Sequence, residues 1–337
     1  MSAKALGRQP KPITGDSHEI YGDPVREAKV LAADQAFEKI WVDDYPPQQA
    51  VKARIRSYMQ KWESVRGTPI GGLRLCQPWH SGKSSIVENL KLELAKQREI
   101  EGRPPNPFEI VHITIEHKMA LKTFYQEFLR QSGDEFFGEE ARRGPDQDRR
   151  TMKMLENKIA RYVRKLGIRL LVADEIQRLG GAGISSKAVI ERLQTFLDRG
   201  IVPLLLIGNE KSESFFSDNS DLSVRCGRPL KLEPMKTKSC AIEAGHFQNF
   251  CRSFDDQLVS TGIFAIRSGL SQKQMLDPII SVTGGHIGRV ARLIEEAYPV
   301  AIRRGAASIE MLDFSIVTRE YAIVNGWIKT DPFCQAN

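Results

Sequence analysis

Apolar and polar positions along the chain change period repeatedly, and each change marks an element. After Pro46-Pro47, Val51, Ile55, Tyr58, Met59 and Trp62 recur at spacings of 4, 3, 1 and 3. That predicts a helix with one core-facing stripe and proline in its first turn. Leu73–Cys76 reads as a short strand and 84–97 as a helix. A second strand, Glu109–Ile115, is rich in β-branched residues, and helices follow over 119–131 and 151–166. The apolar run 169–173 predicts a third strand, 186–199 a helix, and 202–207 a fourth strand with Pro203 near its start. Apolar strands alternating with helices predict a parallel sheet sandwiched by helices.

Beyond Pro234 the strand signal stops. Helical patterns over 236–258 (with Ala244, Phe247, Cys251 and Phe254 on one stripe), 271–282 and 287–303 predict a small all-helical lid. Residues 1–45 are polar and interrupted by Pro10, Pro12, Gly15, Gly22 and Pro24, with one helical pattern over 25–41. They predict a partly extended N-terminal arm that docks on something larger. The expected organisation is therefore an arm over 1–45, an α/β core over 46–235, and a helical lid with a tail over 236–337.

Composition narrows the classes. Of 337 residues, 41% are hydrophobic and 27% charged, enough for a core and too apolar for wholesale disorder. The net charge of +7 permits a polyanionic partner without demanding one. No run approaches a membrane span, and the start has no apolar signal segment, so the expectation is a soluble, cytoplasmic protein with no membrane partner. Cys76, Cys226, Cys240, Cys251 and Cys334 are scattered, and neither they nor the histidines show a metal spacing.

The strongest chemical signal is Gln77-Pro78-Trp79-His80-Ser81-Gly82-Lys83-Ser84, between a strand and a helix. Its second half matches a phosphate-binding P-loop. Gly82 lets backbone approach a phosphate, Lys83 reaches β and γ oxygens, and the Ser84 hydroxyl ligates Mg²⁺. The following helix, Ser85 onward, aims N–H groups and its positive end at the anion. Gln77 stands where the pattern has glycine, which predicts altered geometry at the start of the loop, because a positive φ is costly there.

A second signal follows about ninety residues later, where the third strand ends in Asp174-Glu175. At the C-terminal end of a parallel strand both acids emerge beside the P-loop. Asp174 is suited to the Mg²⁺ shell and Glu175 to orienting or deprotonating water. The fourth strand runs into Gly208-Asn209, where Asn209 either senses a γ-phosphate or simply turns the chain. Arg225 and Arg228 follow a polar loop over 217–223, a place for an arginine finger or for ordinary surface arginines. In the lid, Gly284-Gly285-His286-Ile287-Gly288-Arg289 opens a helix from which Arg289 either reaches the nucleotide or only begins a helix after a glycine turn.

Taken in order, P-loop, Asp-Glu strand, Asn, arginine loop and helical lid resemble an AAA+ ATPase of the TniB/TnsC family, the ATP-dependent regulators of DNA transposition. The resemblance covers roughly residues 40–310. It implies ATP and Mg²⁺ as cofactors, with Gln77, Trp79, His80, Ser81, Gly82, Lys83, Ser84, Ser85, Asp174 and Arg289 around the nucleotide. Glu175, Asn209 and Arg225 take the catalytic roles. It implies ATPase activity, assembly into a heptameric or hexameric ring or a filament on double-stranded DNA, and partners in a transposase and a TniQ-type target-selection protein of a bacterial cytoplasm. The matching DNA-contact positions are Lys122 and Thr151, with Arg149 and Arg150 beside the latter. Independently of family, residues 142–169 hold ten Lys/Arg against three acids, which fits phosphate contacts without base readout and fits a solvated helix face as well. Helicase loaders and replication initiators, or an ATP-binding scaffold with little turnover, share the same core.

Overall fold

The structure is a computed structural model describing residues 23–42, 45–79, 81–134, 148–180 and 184–334, the side chains of 148–151 and 184–185 excepted. The described chain divides into two compact units, one α/β (43–234 with 286–288) and one helical (the described residues of 1–42, 235–285 and 289–337).

In the α/β unit, strands β1 (Leu73–Cys76), β2 (Ile110–Thr114), β3 (Leu170–Asp174) and β4 (Leu204–Gly208) form one four-stranded sheet in the order β1-β4-β3-β2. All three pairings are parallel. Every residue of β3 and β4 is buried, as expected of strands covered on both faces. The register sets Cys76 opposite Gly208 and Thr114 opposite Asp174, so the chemistry-bearing ends of β1, β4 and β3 adjoin at one edge. After the last α/β helix the chain runs beside β1 without a ladder, Leu230 N–H donating to Arg74 O at 2.8 Å.

The first long helix of this unit, Pro46–Ser64, buries the stripe read from its spacing: Val51, Ile55, Tyr58, Met59 and Trp62. Two of those residues also satisfy backbone groups. The Tyr58 hydroxyl accepts the Leu204 N–H at 3.0 Å, and Trp62 Nε1 donates to Gly200 O at 3.0 Å. Within the same helix Lys52 is buried (1% side-chain exposure) on Asn89 and Glu93 of the next helix, Lys83–Ile100. Packed against β2, helix Leu121–Gln131 buries Phe124, Tyr125, Phe128 and Leu129.

Residues 212–226 form two short helices, Ser212–Asp218 and Ser220–Cys226, where the sequence reads as a polar loop over 217–223. Phe215, Phe216, Leu222 and Cys226 are all buried. Four apolar anchors hold a serine-rich segment helical, and Arg225 consequently lies in the last turn of a helix.

The helical unit contains Ala241–Ser260, Lys273–Thr283, helix Ile287–Arg304 from Arg289 onward, and Met311–Val317. Helix Pro24–Phe37, from the segment read as an arm, belongs to this unit, capped by Asp23. Glu27 pairs with Arg303, Asp34 accepts from the Tyr298 hydroxyl at 2.6 Å, and the Phe37 ring lies 5.8 Å from that of Phe254. Buried Asp255 accepts the N–H groups of Ser268, Gly269 and Leu270 at 2.7, 2.8 and 3.2 Å, which fixes the loop between the first two of the long helices. No helix among the described residues is long and apolar enough to cross a membrane.

Candidate nucleotide site

Between β1 and the helix beginning at Lys83, the chain turns at Gly82, whose φ of +84° costs little only without a Cβ. A Cβ at Gly82 would lie 3.0 Å from Gln48 Nε2, so buried Gln48 closes that side of the loop. No side chain caps the helix that follows. Its first N–H groups are therefore available to an anion at the positive end of the helix. Gln77, by contrast, is among the residues with ordinary negative φ. Its N–H donates to Gly208 O at 3.0 Å and its side chain to Cys76 O at 2.7 Å. The expected cost of a non-glycine there does not arise, because the position continues the strand.

Lys83 folds back over the loop. Its ammonium donates to Gln77 O and Pro78 O, both at 2.7 Å, with Ser81 Oγ at 3.4 Å. Burial pulls its pKa below the ordinary lysine value, opposed by the fields of Asp174, Glu210 and Glu175. The strand register puts the lysine loop after β1 and the two acids after β3 at the same edge of the sheet. Ser81 is buried, Ser84 and Ser85 are exposed at the start of the helix, and Trp79 is 54% exposed. His80 lies outside the described residues.

Asp174 ends β3. Burial pushes its carboxyl up, but the His112 contact, the Glu175 N–H and Lys83 outweigh that and hold it below the usual carboxylate range. Oδ1 accepts the Glu175 N–H at 2.7 Å, and Oδ2 lies 3.3 Å from His112 Nε2. An ionised carboxylate at this strand end and an exposed hydroxyl in the first turn of the P-loop helix are the donor types for a nucleotide-bound Mg²⁺, which takes few protein ligands and several from phosphate and water. Among the described residues no group of three His, Cys, Asp or Glu is built to hold a metal by itself. Glu175 adopts φ +60°, a left-handed conformation unusual for a glutamate. Its Oε2 takes Gln177 Nε2 at 2.9 Å and Arg178 at 3.2 Å. Asn209, buried at the end of β4, uses its side-chain oxygen to accept the Lys211 N–H at 3.0 Å.

The remaining candidates are placed differently. Arg225 makes a two-pronged pair with Asp198 at 2.8 and 3.2 Å and donates to Asp221 O. Arg228 is exposed and unpaired among the described residues. Arg289 belongs to the helical unit, its guanidinium 5.2 Å from the Trp327 ring centre. Lys122 is half-buried in the first turn of its helix, beyond the C-terminal end of β2. Arg149, Arg150 and Thr151 lie in helix Asp148–Lys165, their side chains outside the described set.

Part of the basic run has a structural use. Lys158 pairs with buried Asp134 at 2.6 Å and Arg169 with Glu63. Arg164, Lys165 and Arg169 line a cavity of about 780 Å³ with Glu109, which precedes β2. That is the sheet edge away from the P-loop, where helix C-termini attract cations.

Two participants escaped the sequence reading. His112, a polar residue inside an apolar strand, carried that signal faintly. Gln177, two residues beyond Glu175, carried none.

A parallel sheet with a P-loop after β1, acids at the end of β3 and an asparagine after β4 is the AAA+ fold, followed here by a helical C-terminal region. The family model described as an AAA domain matches residues 75–216. Among solved structures, Cdc6p from Pyrobaculum aerophilum is 15% identical with a TM-score of 0.57, covering 85% of this chain and 70% of that one. The Aeropyrum pernix ORC2 protein, in ADPNP-ADP complexes, is 13% identical with a TM-score of 0.61, covering 85% and 71%. The Aeropyrum pernix ORC1 protein in complex with DNA is 15% identical with a TM-score of 0.56, covering 85% and 68%. No curated protein sequence matches the chain.

Proposed function

We propose that the chain is an ATP-dependent, DNA-binding AAA+ switch that assembles with copies of itself on duplex DNA and regulates transposition. The observation that carries the ATPase part is the gathering of Lys83, Asp174 and Glu175 at adjoining strand ends, with an uncapped helix and a left-handed glycine between them. In this reading the loop N–H groups and Lys83 hold the β and γ phosphates. Ser84 and Asp174 hold Mg²⁺, which supplies charge neutralisation on the phosphoryl oxygens when bound. Water attacks the γ phosphorus, the bond to the bridging oxygen breaks, and Glu175 accepts the water's proton. Asn209 contacts the γ-phosphate or its water. Arg225 or Arg228 of one copy reaches the nucleotide of the next, so that ATP closes the junction between copies and hydrolysis loosens it.

The transposition role rests on the resemblance to the TniB/TnsC family, with a transposase and a TniQ-type protein as partners. Lys122 and the start of helix Asp148–Lys165 are the DNA-contacting positions. The second reading is a helicase loader or replication initiator, favoured by the fold shared with Cdc6p and the ORC proteins over 85% of this chain. Electron microscopy of the full chain on duplex DNA of arbitrary sequence, with ADPNP or ADP, tests both. ATP-state-dependent rings or filaments indifferent to sequence support the first. Isolated copies at one preferred sequence, unchanged by nucleotide, overturn it.

A further inference from the structure

The side-chain amide of Gln177 is engaged at both ends. Nε2 donates to Glu175 Oε2 at 2.9 Å, while Oε1 accepts the Asn209 backbone N–H at 3.3 Å and the Ser212 hydroxyl at 3.1 Å. Chemistry fixes this orientation, since a carboxylate only accepts and a backbone N–H only donates; a flipped amide would lose those contacts. The space is reserved for it as well. A Cβ at Gly208 would lie 2.6 Å from Gln177 Oε1 and 2.0 Å from Ser212 Oγ. Both donors to Glu175, Gln177 and Arg178, converge on Oε2. Arg178 is itself anchored on Ile115 O at 3.2 Å. The second oxygen, Oε1 of Glu175, has no partner among the described residues.

We infer that Gln177 is a positioning residue through which the end of β4 sets the carboxylate of Glu175. The inference rests on the reading of Glu175 as the group that acts on the attacking water. A planar amide holds its two ends at a fixed separation, and here each end is held by its own partners. A shift of Asn209 on gaining or losing a γ-phosphate is therefore passed through Oε1 and Nε2 to Glu175. Phosphate sensing and water activation become one mechanical event. Both ends of the amide are taken by protein groups, and its effect belongs to turnover rather than to binding.

Steady-state MgATP turnover by the full chain on duplex DNA, with equilibrium MgATP binding in parallel, tests this. Gln177→Leu preserves bulk and removes both ends of the link. Its kcat is expected to fall about 10- to 100-fold, as for a misplaced reacting group, with affinity for MgATP within twofold of wild type. In a Glu175→Gln background the same change adds no further loss, because residues acting as a unit are non-additive. Ser212→Ala removes one donor to Oε1 and gives a smaller fall of the same kind; it keeps the test decisive should Gln177→Leu misfold. Turnover at or above the wild-type rate in Gln177→Leu, or in Ser212→Ala alone if Gln177→Leu misfolds, overturns the inference while Glu175→Gln is inactive. Wild-type turnover in Glu175→Gln overturns the reading of Glu175 and this inference with it.

Discussion

Replacing Lys83 by alanine separates nucleotide binding from folding. In the free protein the ammonium donates to two loop carbonyls at 2.7 Å each. Nucleotide binding exchanges those neutral acceptors for charged phosphoryl oxygens. Both sets of bonds are charge-assisted by the ammonium, so the gain is the excess of an ammonium–phosphate contact over an ammonium–carbonyl one, about 1–2 kcal/mol for each of two bonds and about 2–4 kcal/mol in all. At 1.4 kcal/mol per decade, MgATP should bind about 30- to 1,000-fold more weakly to Lys83→Ala. Much of the dehydration of this lysine has already occurred in the free protein, since burial is the main cause of its lowered pKa. The sign for pH follows. The unfolded chain holds the proton up to the ordinary value of 10.5, while the folded state releases it earlier. This group's unfavourable contribution to stability is thus relieved as pH rises through the lowered pKa toward 10.5. Binding needs the charged form, so wild-type affinity should decline on the alkaline side before 10.5, a limb the variant lacks. Calorimetric titration with MgATP across pH, beside thermal melting without nucleotide, measures both. Affinity of Lys83→Ala within threefold of wild type, at unchanged melting temperature, would refute the placement of phosphate against this lysine.

Other expectations are independent of that site or adjoin it. Lys52→Ala strips buried Asn89 and partly buried Glu93 of their cation, leaving Glu93 only Arg56. Breaking such a pair costs about 3 kcal/mol and should lower the melting temperature by roughly 6–12 °C, read by scanning calorimetry; a drop below about 2 °C contradicts the account. Thiol alkylation of the native protein should mark exposed Cys334 first, because burial pushes Cys76 up to about 11 and Cys226 up to about 12, and only the thiolate reacts. Mass spectrometry showing Cys226 labelled as fast as Cys334 would contradict the packing around it. Asp198→Ala frees the Arg225 guanidinium from its pair and should raise ATP turnover on duplex DNA about two- to fivefold, the pair being worth up to about 1 kcal/mol. Unchanged turnover, with a loss in Arg228→Ala, assigns the finger to Arg228.

The sheet was legible because strands buried on both faces leave apolar runs that no surface segment imitates. Each of β1 to β4 falls within two residues of its expected bounds. Helix Pro46–Ser64 was legible by period, since its stripe faces a single neighbour layer. The pair of helices over 212–226 was not, because serine and aspartate are indifferent helix formers and only Phe215, Phe216, Leu222 and Cys226 argue for burial. The helix in the N-terminal arm and its docking were expected, but the surface it docks on was hidden. Its partners Tyr298 and Arg303 lie more than 260 positions away in sequence, and its stripe is only Val30 and Ala33. At the site, Lys83 and Asp174-Glu175 announce themselves through local spacing. Gln177, His112 and Asp198 do not, since each acquires meaning only from a residue on another element.

Gln77 shows how a motif departure can be read too literally. A glycine is needed where the backbone enters a left-handed conformation or where something approaches closely. Neither condition holds at Gln77, which has negative φ and extends the β1–β4 hydrogen bonding by one more rung onto Gly208. Both conditions hold at Gly82, with φ +84° and Gln48 at 3.0 Å from a prospective Cβ. Gln77→Gly should therefore bring no gain in MgATP affinity and cost about 0.5–1 kcal/mol of stability through added freedom in the unfolded chain. Gly82→Ala should weaken MgATP binding by tenfold or more, because relieving its strain moves the amides that face the phosphates. Titrating both variants with MgATP decides the matter. Tighter binding in Gln77→Gly would mean that the loop changes its start when the nucleotide arrives, and that the conformation at Gln77 belongs to the free protein alone.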